Sequence, residues 1–218
     1  QEKHVESATE DDYQSNIDGL LGEGCDLIVT VGFLLSAATI TAAGENPDVN
    51  FAIVDDSLDG DFDGVNDTEN GKPLLFNTAE AAFLAGYAAA ATSKTGIVGT
   101  YGGMQINPLT IFMDGFVDGV AHYNEVNGAS VKAIGWDKET QTGSIIGTFA
   151  AGVESKTAAQ NLIDQGADVL LPCGGPIYQS AVEAIVENGG DIALIGVDAD
   201  VYHTDPNAAP YLLTSIMK

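Results

Sequence analysis

A cluster of carboxylates in the first third of the chain could bind a metal ion. The segment DGDFDGVNDTEN carries four aspartates around Gly64, which are Asp59, Asp61, Asp63 and Asp67. Such a loop suits calcium, which takes about six to eight oxygen ligands. It departs from an EF-hand because the twelfth position is Asn70, and Glu69 comes one place early. Two interpretations stay open: a structural calcium site that stiffens a loop, and a solvated acidic turn.

Signatures of catalytic nucleophiles, zinc proteases and phosphate-binding loops are absent. The sequence has no GxSxG, HExxH or GxxxxGK[ST] motif, and no GxGxxG follows a strand-like run. The three histidines, His4, His122 and His203, are far apart, and none has a second ligand at zinc spacing. These observations predict that the protein is not an enzyme and requires no cofactor. One enzyme class stays as an alternative: a nucleoside or sugar hydrolase whose clustered aspartates bind calcium and activate water.

Composition excludes further classes. The 218 residues include 7 Lys plus Arg and 32 Asp plus Glu, which gives a formal net charge of −25. Such acidity repels phosphate backbones and anionic lipids, so nucleic-acid binding is not expected. No apolar run approaches the roughly 18 residues of a membrane span. Two cysteines, Cys25 and Cys173, form neither a disulfide framework nor a CxxC pair, and free buried thiols are expected.

Short apolar runs alternate with helix-like segments along the whole chain. The predicted strands are 26–32, 51–55, 74–76, 96–101, 131–136, 168–172, 192–197 and 212–216. The predicted helices are 13–21, 37–43, 78–91, 108–126, 155–165 and 176–188. This alternation predicts right-handed βαβ units and parallel sheets covered by helices on both faces.

The Ala-rich segment AAAATSK, followed by a new strand, indicates a crossing between two α/β lobes near Ser93. The first lobe is predicted to comprise residues 1–93 with about 205–218, and the second lobe residues 94–204. Ligands of parallel sheets bind beyond the carboxyl ends of the strands. The residues at those ends are rich in glycine, aromatic and carboxylate side chains and poor in nucleophile–base pairs.

Eight sequence blocks then show a family resemblance. They are YQSNIDGLLGEGCDLIVTVGFLLSAAT, ENPDVNFAIVDD, EAAFLAGYAAA, GIVGTYGGM, FMDGFVDGV, IDQGADVLLPCGG, IGVDAD and LLTSIMK. In this order and spacing they resemble the basic membrane protein family, the PnrA-like nucleoside-binding lipoproteins of ABC transporters. The resemblance implies a two-lobed type I periplasmic-binding-protein fold with the ligand in the cleft between the lobes. Compared with the family pattern, the N-terminal strand with its base-binding segment and the C-terminal end are missing, so a fold truncated at both ends is expected.

The resemblance also implies roles for individual residues. Phe149 matches the aromatic that stacks on the purine, Asp198 the carboxylate that accepts from the ribose hydroxyls, and Lys218 the lysine that donates to the ribose. Gly174 and Gly175 match glycines that let the backbone approach the sugar. Ordinary alternatives are interlobe packing for Phe149, a cap or turn for Asp198, a solvated terminus for Lys218, and a strand-to-helix turn for the glycines.

Four further residues match the family pattern more weakly. Gly32 and Phe33 follow a strand of the first lobe, Glu80 matches a polar position near the cleft, and Met104 either lines the base pocket or fills the core.

The implied function is capture of a nucleoside, with a purine favoured, by hinge closure for an ABC importer. The implied partners are the nucleoside and an ABC permease, for a monomer that contacts the membrane only through a lipid anchor outside this chain. The implied location is extracytoplasmic, either lipid-anchored or periplasmic. A receptor for a sugar or another small polar ligand on the same fold stays as the alternative.

Overall fold

The computed structural model describes residues 2–61 and 63–218. The chain divides into two compact units, Gln1–Phe76 and Asn77–Lys218. Both contain parallel strands flanked by helices, as the alternating sequence pattern predicts. Within the described residues, no helix is both long enough and apolar enough to cross a membrane.

The first unit is a small three-stranded parallel sheet, in the order β1-β2-β3, with two helices. Its elements are α1 (Tyr13–Gly22), β1 (Leu27–Val31), α2 (Ser36–Glu45), β2 (Asn50–Val54) and β3 (Gly71–Leu74). The core is formed by Ile17, Ile28, Ala42, Ala43 and Phe51. Burial alternates along β1, because a strand points successive side chains to opposite faces.

The second unit contains a five-stranded parallel sheet in the order β10-β9-β8-β4-β5. Its helices are α3 (Thr78–Thr92), α4 (Asn107–Asn127), α5 (Val153–Asp164), α6 (Ile177–Glu187) and α7 (Val201–Thr204). Its strands are β4 (Ile97–Gly102), β5 (Lys132–Ile134), β6 (Trp136–Asp137), β7 (Thr142–Gly143), β8 (Val169–Cys173), β9 (Ala193–Asp198) and β10 (Leu212–Met217). β6 and β7 form a separate antiparallel hairpin.

Two hydrophobic cores lie in this unit. One contains side chains of α3 and α4, and the other contains side chains of α5 and α6. Every residue of β8 is buried, as expected for a central strand covered on both faces. Glycines bring α3 and α4 together: a Cβ on Gly86 would collide with the Phe116 carbonyl oxygen, and one on Gly119 with that of Phe83.

The division of the chain differs from the predicted lobes. The boundary lies after Phe76 and not near Ser93, because α3 packs against α4 and β10 of the second unit. Residues 212–217 also belong to the second unit, because β10 pairs with β9. The Ala-rich segment is therefore a core helix of one unit and not a crossing.

Three local features also differ from the sequence prediction. β3 ends at Leu74, where the predicted strand begins. The predicted strand 131–136 breaks at Gly135, whose φ of 90° and close approach to the Thr100 carbonyl exclude a side chain. The β6–β7 hairpin that follows was not predicted. Its Trp136 is buried, as expected for a structural residue, and donates its indole N–H to Asp114 at 2.8 Å.

Asp168 ties the start of β8 to the loop that precedes β4. Its carboxylate accepts from the Ser93 hydroxyl at 2.6 Å and from the backbone N–H groups of Lys94 and Thr95 at 2.6 and 2.9 Å. Burial alone would raise the pKa of Asp168, but the hydrogen bonds outweigh it and lower the pKa below its ordinary value. The ionised carboxylate therefore stabilises the start of both central strands.

Replacing Asp168 by Asn should lower the free energy of unfolding at pH 7 by about 1–2 kcal/mol, because the amide loses charge-assisted bonds. A carboxylate whose pKa is lower in the folded state than in the unfolded state stabilises the fold at pH values above the unfolded pKa of about 3.9. This stabilisation is lost as the pH falls through the folded pKa. The deficit of Asp168→Asn should therefore shrink below about pH 4. Urea unfolding at pH 7 and pH 3.5 measures both effects, with the exposed Asp191→Asn as control. An equal deficit at both pH values would contradict this role.

Candidate functional site

The five-stranded sheet has one point where the strand order reverses. From β4 the chain adds β5 on one side, and then returns to add β8, β9 and β10 on the other side. The carboxyl ends of β4 and β8 therefore diverge at Gly102 and Cys173, which are register partners. Such switch points are where open parallel sheets bind ligands.

Phe149 lies at this switch point. The loop before it follows the end of β4 through hydrogen bonds from Ile146 N–H to the Gly102 carbonyl at 3.0 Å and from Gly147 N–H to the Gly103 carbonyl at 2.8 Å. A Cβ on Gly103 would stand 2.6 Å from Cδ1 of Phe149, and one on Gly174 would stand 2.8 Å from the same atom. The half-buried ring therefore rests on the bare backbone of two glycines, one after each strand.

Asp198 and Lys218 meet at the ends of the next two strands. Met217, the last residue of β10, is the register partner of Asp198, the last residue of β9. Lys218 follows directly, and its ammonium Nζ lies 3.2 Å from Oδ1 of Asp198. The Lys218 side chain is 9% exposed and the Asp198 side chain 48% exposed. The carboxylate therefore faces solvent while the ammonium lies beneath the surface.

Asp198 adopts a backbone conformation that L-residues rarely occupy. Its φ is +67°, in the left-handed region, where aspartate is tolerated better than most residues. Such strain costs on the order of 1 kcal/mol and concentrates at functional sites.

A buried thiol lies at the end of β8, beneath the candidate site. Cys173 ends β8, is fully buried, and lies 3.7 Å from the Thr100 hydroxyl. Burial raises the pKa of Cys173 to about 12, and the Asp198 charge also raises it. The Thr100 contact and the Lys218 charge lower this pKa, but by less. The thiol is therefore neutral at physiological pH and acts as a small apolar side chain, which confirms the predicted free buried cysteine. Cys25 is also free but only partly buried.

The structure places five of the predicted ligand-binding residues at one edge of the five-stranded sheet. Phe149, Gly174, Gly175, Asp198 and Lys218 all lie at the carboxyl edge of the sheet. Gly174 and Gly175 have φ values of 132° and 54°, so both the close-approach and the turn interpretations hold for this pair.

Met104 and Glu80 are placed differently. Met104 is 40% exposed just beyond β4, so it does not fill the core, because the chain has already left the sheet there. Glu80 is exposed in the first turn of α3, beside a shallow surface depression that includes Phe83 and Asp118. It lies at a helix end and not at a strand end.

Gly32 and Phe33 belong to the first unit. Gly32 follows β1 with a φ of 103°, and its N–H donates to the Val54 carbonyl at 3.0 Å. Phe33 begins a short 3-10 turn and is half-buried. These two residues therefore occupy the carboxyl edge of their own sheet, as predicted from the strand pattern.

The acidic loop brings three carboxylates together. One ligand oxygen from each of Asp59, Asp61 and Asp67 lies within 4.8 Å of the others. Several of their oxygens accept backbone N–H groups, as in the bonds from Gly64 to Asp59 and from Gly60 to Asp67. Asp63 is outside this group and accepts from Val65 N–H at 2.8 Å. Calcium binding stays a prediction from the sequence.

Two residues of the site had no assigned role in the sequence analysis. Gly103 supports the Phe149 ring, and Phe112 of α4 lies under the Lys218 ammonium, 4.6 Å from ring centroid to Nζ. The Gly-Gly pair after β4 was a visible signal for Gly103. Phe112 has none, because it follows the apolar pattern of an ordinary core helix.

Comparison with known proteins shows the family of the chain. The family pattern described as "ABC transporter substrate-binding protein PnrA-like" matches residues 1–218. The chain is 31% identical over 201 residues to basic membrane protein D of Borreliella burgdorferi, covering 92% of the chain and 54% of that protein. It is 30% identical over 203 residues to the nucleoside-binding protein BmpA of Lactococcus lactis, covering 90% and 52%. The chain thus spans about half the length of the curated relatives it matches.

A solved structure shows the same fold. The chain is similar to an ABC transporter solute-binding protein from Aeropyrum pernix, with a TM-score of 0.71 and 27% identity over 94% of the chain and 58% of that protein. This likeness confirms the predicted type I periplasmic-binding class, with parallel sheets flanked by helices.

Replacing Gly103 by Ala should displace the Phe149 ring, because the new methyl group would meet Cδ1 and Cε1. We expect a loss of about 1–3 kcal/mol in unfolding free energy, as for other overpacked sites. Gly44→Ala is the matched control: Gly44 lies in α2 with open space around it, so the change should stabilise by about 0.5–1 kcal/mol. Thermal and urea unfolding measure both. A neutral Gly103→Ala would show that the ring does not rest on this backbone.

Proposed function

Since the chain belongs to the family of PnrA-like substrate-binding proteins of ABC transporters, we propose that it binds a nucleoside, with a purine preferred, for delivery to an importer. One observation carries the proposal: an aromatic ring at the sheet's switch point has a carboxylate–ammonium pair at the ends of the adjacent strands. The name of the Lactococcus relative, a nucleoside-binding protein, supports the same ligand class.

Phe149 would bind the base. The ring lies at the carboxyl edge of the sheet, where open parallel sheets bind ligands, and every nucleobase has a π-face that can stack on an aromatic ring. Stacking contributes about 1–3 kcal/mol per base and tolerates different bases. The larger surface of a purine would cover more of the ring than a pyrimidine would.

Asp198 and Lys218 would bind the ribose. A carboxylate accepts from two hydroxyl groups at once, and an ammonium donates to a hydroxyl oxygen. The Asp198 side chain is half exposed, so a sugar can reach it. Because both groups sit at fixed strand ends, they require little ordering when the ligand arrives.

Charge favours a nucleoside over a nucleotide. The chain has a net charge of −25, and Asp198 adds a carboxylate at the site itself. A phosphate group would be repelled by both, whereas an uncharged nucleoside would not. Phosphorylated forms should therefore bind more weakly.

The remaining steps concern the whole protein. We propose that ligand stabilises a closed arrangement of two lobes by its differential affinity, and that an ABC permease recognises this arrangement. The protein would act outside the cytoplasmic membrane as a monomer with a lipid anchor beyond this chain. Its role would be binding without catalysis.

Isothermal titration of the full-length protein with adenosine, guanosine, inosine, uridine, ribose and AMP tests the ligand class. We expect a purine nucleoside to bind most tightly, with AMP and ribose at least about ten-fold weaker. The phosphate of AMP is repelled by the negative charge, and ribose has no base to stack on Phe149. Ribose binding as tight as that of any nucleoside would favour the sugar-receptor alternative. Hydrolysis of the nucleoside during titration would favour the hydrolase alternative.

Variants of the two central residues test the site. Phe149→Ala should weaken nucleoside binding about ten-fold or more, and Phe149→Tyr should largely retain it because the stacking face remains. Asp198→Asn should also weaken binding about ten-fold, because an amide oxygen accepts hydrogen bonds more weakly than a carboxylate does. Asparagine tolerates the left-handed backbone, so the fold should be kept. The control Asp191→Asn removes an exposed carboxylate elsewhere. Unchanged affinity in both Phe149→Ala and Asp198→Asn would overturn the site.

A further inference from the structure

We propose that Phe112 is a positioning residue for the Lys218 ammonium, and so tunes affinity for the ribose without touching the ligand. This inference rests on the proposed function for its effect on affinity. Its structural basis is the contact between the two side chains: Nζ of Lys218 lies 4.6 Å from the centroid of the Phe112 ring. That distance is within the range of a cation–π interaction.

The ammonium is a charged group in a poorly hydrated place. With 9% of its side chain exposed, Lys218 has lost most of its hydration, which is costly for a charged group. Asp198 lies 3.2 Å away, but its side chain is 48% exposed and is the group offered to the ribose hydroxyls. When a sugar donates hydrogen bonds to the Asp198 carboxylate, the negative charge of the carboxylate is shared between the sugar hydroxyls and the Lys218 ammonium.

An aromatic ring suits the support of a poorly hydrated cation. The face of Phe112 attracts the cation through its quadrupole and accepts no conventional hydrogen bond. It therefore supports the charge without competing with the ribose hydroxyls. A second carboxylate in the same place would compete for those hydroxyls and add negative charge to the site.

The ring is held rigidly in place. Phe112 lies in the second turn of α4, is 3% exposed, and belongs to the core that also contains Val197 and Ile216 of the two strands that carry the ion pair. Side chains in such cores are closely packed and keep one rotamer. The ammonium thus rests on a surface fixed by the same core that sets the ends of β9 and β10.

Phe116 provides a matched control. It lies one turn further along α4 in the same core and is fully buried. Phe112→Leu and Phe116→Leu remove the same atoms from the same core, so both should lower the thermal unfolding temperature. Only Phe112→Leu removes the ring beneath Lys218.

Two measurements on the full-length protein test the proposal. Titration with the tightest nucleoside should show affinity about five-fold weaker in Phe112→Leu and unchanged in Phe116→Leu. In a Lys218→Met background, Phe112→Leu should have no further effect on affinity. Without ligand, the Lys218 side-chain methylene protons next to Nζ should show an upfield ring-current shift in NMR spectra that Phe112→Leu abolishes and Phe116→Leu keeps.

The outcomes separate this proposal from the proposed function. Equal affinity losses in the two phenylalanine variants, or a loss from Phe112→Leu that persists with Lys218→Met, would reduce Phe112 to a core residue and overturn the proposal. The absence of the ring-current shift would also overturn it, whatever the ligand. A wild-type protein that shows the shift but binds no nucleoside would contradict the proposed function and leave the Phe112 support of the ammonium established.

Discussion

The parallel pairing of β4 with β8 is the contact on which the candidate site depends. These two central strands are adjacent in space but separated by β5, the hairpin and α5 in sequence. Their pairing places Gly103 and Gly174 side by side beyond the sheet, and only glycine at both positions leaves room for the Phe149 ring. Asp168 holds the opposite end of the same strands through Ser93 and the following amides. The aromatic platform is thus a consequence of sheet topology.

The polar half of the site is supported by the hydrophobic core. β9 and β10 end in register, so Asp198 and Lys218 meet without any loop to position them. The arrangement includes two unfavourable features, a left-handed aspartate and a poorly hydrated lysine. Proteins retain such features where the surrounding structure compensates for them. Phe112, whose ring lies 4.6 Å from the Lys218 ammonium, belongs to the core that contains side chains of α3 and α4. Binding groups held this way are ordered before a ligand arrives.

The sequence predicted the fold class, because buried parallel strands leave long apolar runs and glycine marks their ends. It also placed several candidate site residues at strand ends, where the structure has them. It failed where the signal depended on tertiary packing. The Ala-rich helix α3 looked like a crossing, since no local pattern shows that it packs against α4 and β10. For Met104 the structure excludes only the core-filling alternative, because the side chain is exposed just beyond β4; Glu80 lies in the first turn of α3, and a role in ligand binding stays a prediction for both. Phe112 was missed because its contact with Lys218 joins residues that are far apart in the sequence.

In the proposed complex, one nucleoside stacks on Phe149 while its ribose binds Asp198 and Lys218. A crystal structure of the full-length protein with guanosine or adenosine measures this directly. We expect the base ring to lie parallel to the Phe149 ring at roughly 3.5–4 Å, with ribose hydroxyls within hydrogen-bond distance of the Asp198 carboxylate and the Lys218 ammonium. A nucleoside bound away from the carboxyl edge of this sheet, or a ribose that contacts neither charged group, would contradict it.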